Sequence, residues 1–526
     1  MDNIVSKARE FLKTNGLNCL LVSSTNEFLV EYNELAENSR FTLTKFSGST
    51  GDVLLTNQNL YLFVDGRYHI QADNEVNHDL GTVVKLATGQ NFLDEFCKLI
   101  PENYVLGLFS RKTGLARYEK IRDNLAAKNC KIKLLENDPF SSVNRSCLQG
   151  TVEIAENITG KSVEEKLEII KSSLNDDEAL LVTNLEEVSY LFNLRNFSVP
   201  YSSKIKGKAF ITKNDAKLFL VENLDIYENY IKNYKGKIYI DKSSINLYDY
   251  ELVKDRACFL KENKLSLMKS VKNEVELANY KDCFKRTDET MYAIREFIEK
   301  NDGLSEFDIA QKLEEYFYKF GAKGLSFRSI VAIDKNSALA HYSKTDKDVI
   351  LKDGGLVLID CGAYYEGGLA TDITRVFVKG EPSELQKRVY TTVLKMFLNA
   401  FNYPIKDDTT GFEIDKSARR IEEENKIDGF IFNHGLGHGI GINVHEYPPN
   451  LSSGDLAKVK IQDNMTFTIE PGLYNVNHFG IRLENSCYRK NGKINSFTDM
   501  CYENKLIDYL MLNDKEKVKL SRFKVL

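Results

Sequence analysis

The sequence contains no tryptophan and no CxxC pair, and no apolar run approaches the roughly 20 residues needed to span a bilayer. The missing tryptophan, beside many Lys, Asn and Ile, reflects compositional bias and carries no function. Nine cysteines are scattered at Cys19, Cys97, Cys130, Cys147, Cys258, Cys283, Cys361, Cys487 and Cys501. An odd, unclustered set fits neither a disulfide framework nor a zinc knuckle, so most are expected to be small buried hydrophobes. A basic excess is also missing: 71 Lys and Arg face 76 Asp and Glu, for a net charge of −5. Without a basic footprint no nucleic-acid partner is expected. The N-terminus lacks the continuous apolar core and cleavage site of a signal peptide. Ile4, Val5, Ala8, Phe11 and Leu12 instead fall at helical spacing, the mark of an amphipathic helix. No membrane association and a cytoplasmic address are therefore expected.

What is present is ordinary globular composition, 42% hydrophobic and 28% charged, in 526 residues, which is enough for two to four domains. Two stretches echo each other at an offset of 160 residues. Cys19-Leu-Leu-Val precedes SSTNEFLVEYN, and Ala179-Leu-Leu-Val precedes TNLEEVSYLFNLR. Each follows an amphipathic helix, near 4–14 and 163–174, which suggests two related α/β units in tandem. Strand-like DVLLT (52–56) and LYLFVDGRY (60–68) flank Asn57-Gln58-Asn59; KAFIT (208–212) and KLFLVE (217–222) flank Lys213-Asn214-Asp215 as a hairpin. Boundaries are placed near 150 and 265.

The third region, 266–500, reads as a mixed α+β domain, followed by a short segment at 501–526. Asn273 with Glu276, Ser305 with Asp308 and Ser383 with Gln386 each signal a helix start. Between and after these helices come strand-like SIVAI (329–333), GLVLIDCGAYY (355–365), ITRVFVK (373–379), MTFTIEPGLY (465–474) and GIRLEN (480–485).

Histidines are scarce, seven in all, yet His434, His438 and His445 share the run HGLGHGIGINVHE (434–446), and His341 lies in the same region. Asp360 ends the apolar LVLID, Asp372 follows the turn at Gly367-Gly368, Glu470 ends TFTIE and Glu484 ends GIRLE. A lone strand-end Asp usually caps a turn, and a lone His is usually a hydrogen-bonded structural residue. Carboxylates at the ends of apolar strands are costly to bury unless paired or metal-bound. Four of them with one imidazole suit hard or borderline divalent ions such as Mn²⁺, Co²⁺ or Zn²⁺.

The segments LIDCGAYYEGGLATDITRVF, NHGLGHGIGINVHE, IEPGLY and GIRLEN resemble those of the pita-bread metallopeptidases. The ordered series Asp, Asp, His, Glu, Glu, with 13 residues between Glu470 and Glu484, carries the resemblance. FSGSTGDVLLTNQNLYLFVDGRYHIQA (46–72) and VTNLEEVSYLFNLRNFSVPY (182–201) are similar to the first two domains of the three-domain Xaa-Pro aminopeptidases of that group. The resemblance implies an α+β architecture: a C-terminal pita-bread (creatinase/aminopeptidase) catalytic domain preceded by two related α/β creatinase-like domains. It implies two divalent metal ions per subunit, Mn²⁺ first with Co²⁺ or Zn²⁺ as alternatives, held by Asp360, Asp372, His438, Glu470 and Glu484. Glu470 would double as the proton shuttle, His341 and His445 would attend the scissile bond, His434 and Phe327 would shape the proline pocket, and Arg482 would orient the carboxylates. The implied substrates are peptides with proline second, and the implied assembly is a homodimer. A prolidase restricted to Xaa-Pro dipeptides, a metal-free peptide-binding or chaperone module and creatine-type hydrolysis on the same fold are the competing readings. One departure stands out: eleven residues separate Asp360 from Asp372, one more than the family generally shows. An extra residue inside a strand reverses every later side chain, unless the turn Glu366-Gly367-Gly368-Leu369 absorbs it as a bulge.

Overall fold

The strand Cys19–Val22 is apolar at all four positions because both of its faces are buried. Leu20 and Val22 meet Val5, Ala8 and Leu12 of the Asp2–Thr14 helix, while Cys19 and Leu21 meet Phe96, Ile121 and Leu125. In the computed structural model, which describes residues 2–87, 90–142, 150–342 and 344–526, this strand lies inside a six-stranded sheet. Asp52–Thr56 runs antiparallel on one side, extended by Leu60–Val64, and Val105–Phe109 then Lys131–Leu135 run parallel on the other. Thr82–Lys85 adds an edge.

The second echo stretch occupies the equivalent place in a five-stranded sheet. Glu178–Val182 pairs antiparallel with Gly207–Thr212, whose hairpin partner is Ala216–Leu220, and parallel with Lys237–Ile240, followed by Ala257–Phe259. Five strands in the same order and with the same directions make the two α/β domains structural repeats. Together they form one compact unit, Met1–Val152, Val163–Val199 and Lys204–Lys264. Within it, Lys208 is 2% exposed and Asp249 fully buried, with Nζ 2.7 and 2.6 Å from the two carboxylate oxygens. The Tyr227 hydroxyl donates to the same carboxylate at 3.0 Å, joining two helices to the sheet.

The other unit comprises Glu153–Ser162, Pro200–Ser203 and Leu265–Leu526. Its long helix Glu274–Lys300 begins where expected, with Asn273 and Glu276 forming a reciprocal capping box; Ser305 and Ser383 do the same for Glu306–Lys319 and Glu384–Phe401. The helices cover an eight-stranded sheet in the order Ile330–Ile333, Leu356–Cys361, Ile373–Val378, Glu484–Lys490, Thr466–Ile469, Gly437–Gly439, Glu446–Leu451, with Lys493–Ser496 paired to Glu484–Lys490. Val357, Ile359, Cys361, Ile373 and Phe377 pack with Met291, Ile294, Ile309 and Leu313 of the first two helices. Phe467, Ile469 and Cys487 pack with Val393, Phe397 and Ile414 of Glu384–Phe401 and Gly411–Glu424. These strand residues are all odd-numbered, so the even-numbered ones face the other way.

Strand ends differ slightly from the sequence reading. Leu356–Cys361 runs one residue past Asp360, and Glu470 lies just beyond Thr466–Ile469, where Pro471 can donate no ladder hydrogen bond. GIRLE is broken at Leu483: Gly480–Arg482 pairs with Gly472–Tyr474, and Glu484 opens a new strand. Eight cysteines are free and six of these are buried, Cys130 and Cys258 being intermediate, as a set of small hydrophobes should be; Cys147 lies outside the described residues. Among the described residues no helix is long and apolar enough to cross a membrane.

The Lys208–Asp249 pair makes a test of the N-terminal unit. Asp249→Ala strands a buried ammonium and is expected to cost about 3–5 kcal/mol in urea unfolding of that unit. A loss below about 1 kcal/mol would mean that solvent reaches Lys208.

Candidate active site

Register brings the five candidate ligands to one face. Asp360 pairs with Thr374, Thr374 with Glu484, and Ser486 with Thr468; Gly439 pairs with Phe467, which sets His438 level with Thr468. Even-numbered residues pair with even-numbered ones across these strands, so Asp360, Asp372, Thr374, Glu484, Thr468 and His438 share the face opposite the one that packs on Glu274–Lys300 and Glu306–Lys319, with Glu470 next after Ile469. The extra residue between Asp360 and Asp372 leaves this intact. Pairing keeps one register from Asp360–Thr374 to a bridge between Tyr364 and Ala370, so no bulge forms. The hairpin loop 365–369 takes the residue instead, closed by a Gly368 N–H bond to the Tyr365 carbonyl, with Gly368 at φ 65°.

Asp372, His438 and Glu484 each offer a ligand atom within 4.8 Å of the others. His438 Nε2 lies 3.6 Å from Asp372 and 3.5 Å from Glu470 Oε1. Its Nδ1 is 3.0 Å from the Gly439 carbonyl, which assigns the proton to Nδ1 and leaves the Nε2 lone pair facing the carboxylates. Asp360 receives Arg482 Nη2 at 2.5 Å. Arg482 Nε also donates to Thr374 Oγ1 at 3.2 Å, and that hydroxyl donates to Glu484 at 2.8 Å.

Electrostatically the cluster is unbalanced. Burial first, then the neighbouring carboxylates, pushes Asp372 and Glu484 well above the usual carboxylate range, against the pull of Arg482. One oxygen each of Asp360, Asp372 and Glu484 is buried and has no hydrogen-bond partner among the described residues. Asp372 and Glu484, each with such an oxygen, lie within ligand distance of the His438 lone pair and form the donor set of a divalent-cation site, and the residues present fit one; Asp360 lies outside that closest group.

The accessory residues divide. The rings of His445 and His438 are 4.5 Å apart, edge to face. His434 Nδ1 lies 2.8 Å from the Gly435 carbonyl, and its Nε2 takes the Tyr474 hydroxyl at 2.8 Å. Arg482 Nη1 in turn donates to that hydroxyl at 2.7 Å, so Tyr474 links His434 to the guanidinium that holds Asp360. Burial pushes the Tyr474 phenol up to about 12 despite Arg482, which keeps it a neutral donor. Phe327 is buried past Gly324–Leu325 and makes no ring contact among the described residues. His341 sits half-buried in the turn after the Asp334–Ala338 helix; its neighbour Tyr342 donates to the buried carboxylate of Glu306 at 2.5 Å. A further histidine of this unit, His478, stacks on Phe430.

Sequence reasoning missed Thr374, Tyr474 and Glu446. Thr374 acquires its place only through register. Tyr474 ends the quoted IEPGLY run and could have been found there. Glu446, next to His445, is buried against Lys269 and Lys272; burial opposes its charge, but the two ammonium groups outweigh it and hold the carboxyl down to about 2.

Residues 278–490 match metallopeptidase family M24, and residues 5–137 and 148–276 each match a creatinase/prolidase N-terminal domain. Residues 278–490 therefore form an M24 metallopeptidase domain, preceded by two creatinase/prolidase N-terminal domains. It is similar to Xaa-Pro aminopeptidase 1 of Dictyostelium discoideum, 29% identical over 97% of this chain and 90% of that protein. A probable Xaa-Pro aminopeptidase P of Coprinopsis cinerea is 28% identical over 97% and 92%. Among solved structures, an X-prolyl aminopeptidase from Caenorhabditis elegans, described as a cytosolic enzyme with a di-nuclear active site, superposes with a TM-score of 0.85 at 21% identity, covering 95% of this chain and 89% of that one. That likeness establishes the fold: creatinase-type domains followed by a pita-bread domain. Its M24 domain makes the protein a metallopeptidase, and the donor set of the site fits divalent metal.

Thr374→Val removes the hydroxyl that accepts from Arg482 and donates to Glu484. A loss of about 1–3 kcal/mol is expected in thermal or urea unfolding, and Thr374→Ser should recover most of it. Equal stability of the valine and serine variants would remove the hydroxyl from the network.

Proposed function

We propose that the protein is an Xaa-Pro aminopeptidase, releasing the N-terminal residue from peptides whose second residue is proline. The observation that carries this reading is the meeting of Asp372 and Glu484, each with a partnerless buried oxygen, beside His438, within a chain whose named relatives are Xaa-Pro aminopeptidases over nearly their whole length. Two divalent ions, Mn²⁺ in the first instance with Co²⁺ or Zn²⁺ as alternatives, would be held by Asp360, Asp372, His438, Glu470 and Glu484. Four carboxylates against one guanidinium leave three negative charges in excess, which two divalent cations offset. When bound, such ions polarise the peptide carbonyl and increase the acidity of a water molecule.

The protein's own groups do the rest. Asp360 is oriented by Arg482, and Glu484 by Thr374, so their lone pairs are set before any cation arrives. Glu470, half a step outside the strand and 3.5 Å from His438, has the freedom to take a proton from the attacking water at its carboxylate and deliver it to the departing amine. His445, edge-on to His438, and His341 would donate to the developing oxyanion. His434, fixed by Tyr474, and Phe327 would border the ring of the second-position proline. A tertiary amide has no N–H to grip, so recognition must fall on the ring itself. The four-part division with boundaries near 150, 265 and 500, a cytoplasmic address and a homodimer belong to the same reading.

The nearest rival, a dipeptidase for Xaa-Pro, differs in tolerating no third residue. Metal-stripped protein, reloaded with each ion in turn, should cleave Xaa-Pro-Xaa tripeptides at least as well as Xaa-Pro dipeptides and leave Xaa-Ala-Xaa intact. Glu470→Gln should lower kcat by about 10²–10⁴-fold. Cleavage of dipeptides alone would select the rival, and a chain that takes up no divalent ion would overturn the enzyme reading.

A further inference from the structure

The loop that carries His445 is unusual in how little of it is left to chance. Gly437–Gly439 and Glu446–Leu451 form a hairpin with a register shift between His438 and Gly439, and residues 440–445 connect them. Inside that loop the Gly441 N–H bonds to the Asn443 carbonyl, and the Asn443 side chain donates to the carbonyl of His445 at 2.9 Å. From outside, Ala370 N–H donates to the Gly441 carbonyl at 2.7 Å, and Ser203 Oγ bridges the Ile442 and Gly368 carbonyls.

The remaining anchor is ionic. The Glu446 side chain folds back over its own loop, where Oε1 accepts the Ile442 N–H at 2.9 Å. The carboxylate lies so flat against the backbone that a Cβ on Gly441 would come within 2.2 Å of it, so only glycine fits there. Lys269 reaches Oε1 at 3.1 Å and Lys272 reaches Oε2 at 2.9 Å, and all three side chains are 1% exposed. Lys269 lies in the last turn of the short Lys264–Ser270 helix, and Lys272 is fixed by its backbone N–H bond to the Asn464 carbonyl. A buried ion triad is weak as a source of stability, because desolvation consumes most of its Coulombic gain, but it is strong in geometry: each charge has one place to be. This triad spends that geometry on one loop, beside the imidazole that touches His438.

We infer that Glu446, bridged by Lys269 and Lys272, is a positioning residue that fixes the 440–445 loop and so holds the His445 ring edge-on to His438 for the chemical step. The inference rests on His445 serving the reaction as proposed above. Without the bridge the loop keeps its other anchors, so the chain folds and binds metal while His445 samples several orientations.

The test uses full-length protein with Glu446→Gln combined with Lys269→Met, which leaves the net buried charge unchanged, compared in wild-type and His445→Ala backgrounds. With metal content verified, the paired substitution should lower kcat on an Xaa-Pro tripeptide by roughly 10–100-fold with KM changed by less than about 3-fold. In the His445→Ala background it should cost less than about 3-fold more, because the two changes act on one group. In metal-free protein labelled at its histidines with ¹⁵N, the His445 ring signals should shift or broaden while those of His434 hold. Equal losses in both backgrounds, loss of metal, an unmoved His445 signal or failure of the paired variant to fold would each overturn the inference. If His445→Ala alone leaves kcat unchanged, the catalytic assignment of His445 falls, and the ring signals by themselves then decide whether Glu446 positions the loop.

Discussion

Like charges brought together out of water set the terms for the catalytic unit. Two carboxylates at about 4 Å repel by roughly 4 kcal/mol at the effective dielectric of a protein site. Asp372 and Glu484 share a sheet face with Asp360, beside Glu470, and the one guanidinium among them, Arg482, is committed to Asp360, Thr374 and Tyr474. Burial and mutual repulsion raise Asp372 and Glu484 well above the usual carboxylate range, a repulsion that a divalent cation in their midst would relieve. The architecture around it can be understood as what is needed to keep such a cluster from relaxing. Strand registers that join even to even leave the carboxylates no alternative face, and helices fill the other side of the sheet.

Within that frame the ligating and accessory groups are held by different means. Carboxylates come from, or directly adjoin, paired strands, whose ladders fix the backbone to within small tolerances. His438 and His434 are oriented by their ring nitrogens: Nδ1 of each finds a neighbouring carbonyl, leaving Nε2 for the cluster in one case and Tyr474 in the other. Tyr474 is the joint between the two systems, since Arg482 and His434 share its hydroxyl. His434 is thereby linked to Asp360 through three hydrogen bonds.

The N-terminal unit follows a different logic. Its two sheets repeat one strand order, yet they are knit into a single compact body with the help of buried ions, Lys206 of the second domain pairing with Glu34 and Glu37 of the first. Such pairs fix geometry more than they stabilise, which suits a body whose two halves must keep one relative setting.

Helices and their starts were legible in the sequence because capping is local: Asn273, Ser305 and Ser383 sit three residues before the group that answers them. The tandem α/β repeat was legible from one apolar tetrapeptide recurring after an amphipathic helix. The five candidate ligands stood out because each carboxylate adjoins an apolar strand and His438 lies in a glycine-rich run. Strand breaks at Pro471 and Leu483 were not legible, and neither was the fate of the extra residue before Asp372, since whether a turn or a ladder absorbs it depends on the partner strand. The same holds for Thr374, which gains its role by facing Glu484 across 110 positions of chain, and for Glu446, whose partners lie 174 and more residues away. The sequence by itself determined which side chains can carry the chemistry and which segments present them. Only the tertiary structure decided which of them share a face and which serve the others, because pairing register and the burial of charge are properties of strands that meet, not of any strand alone.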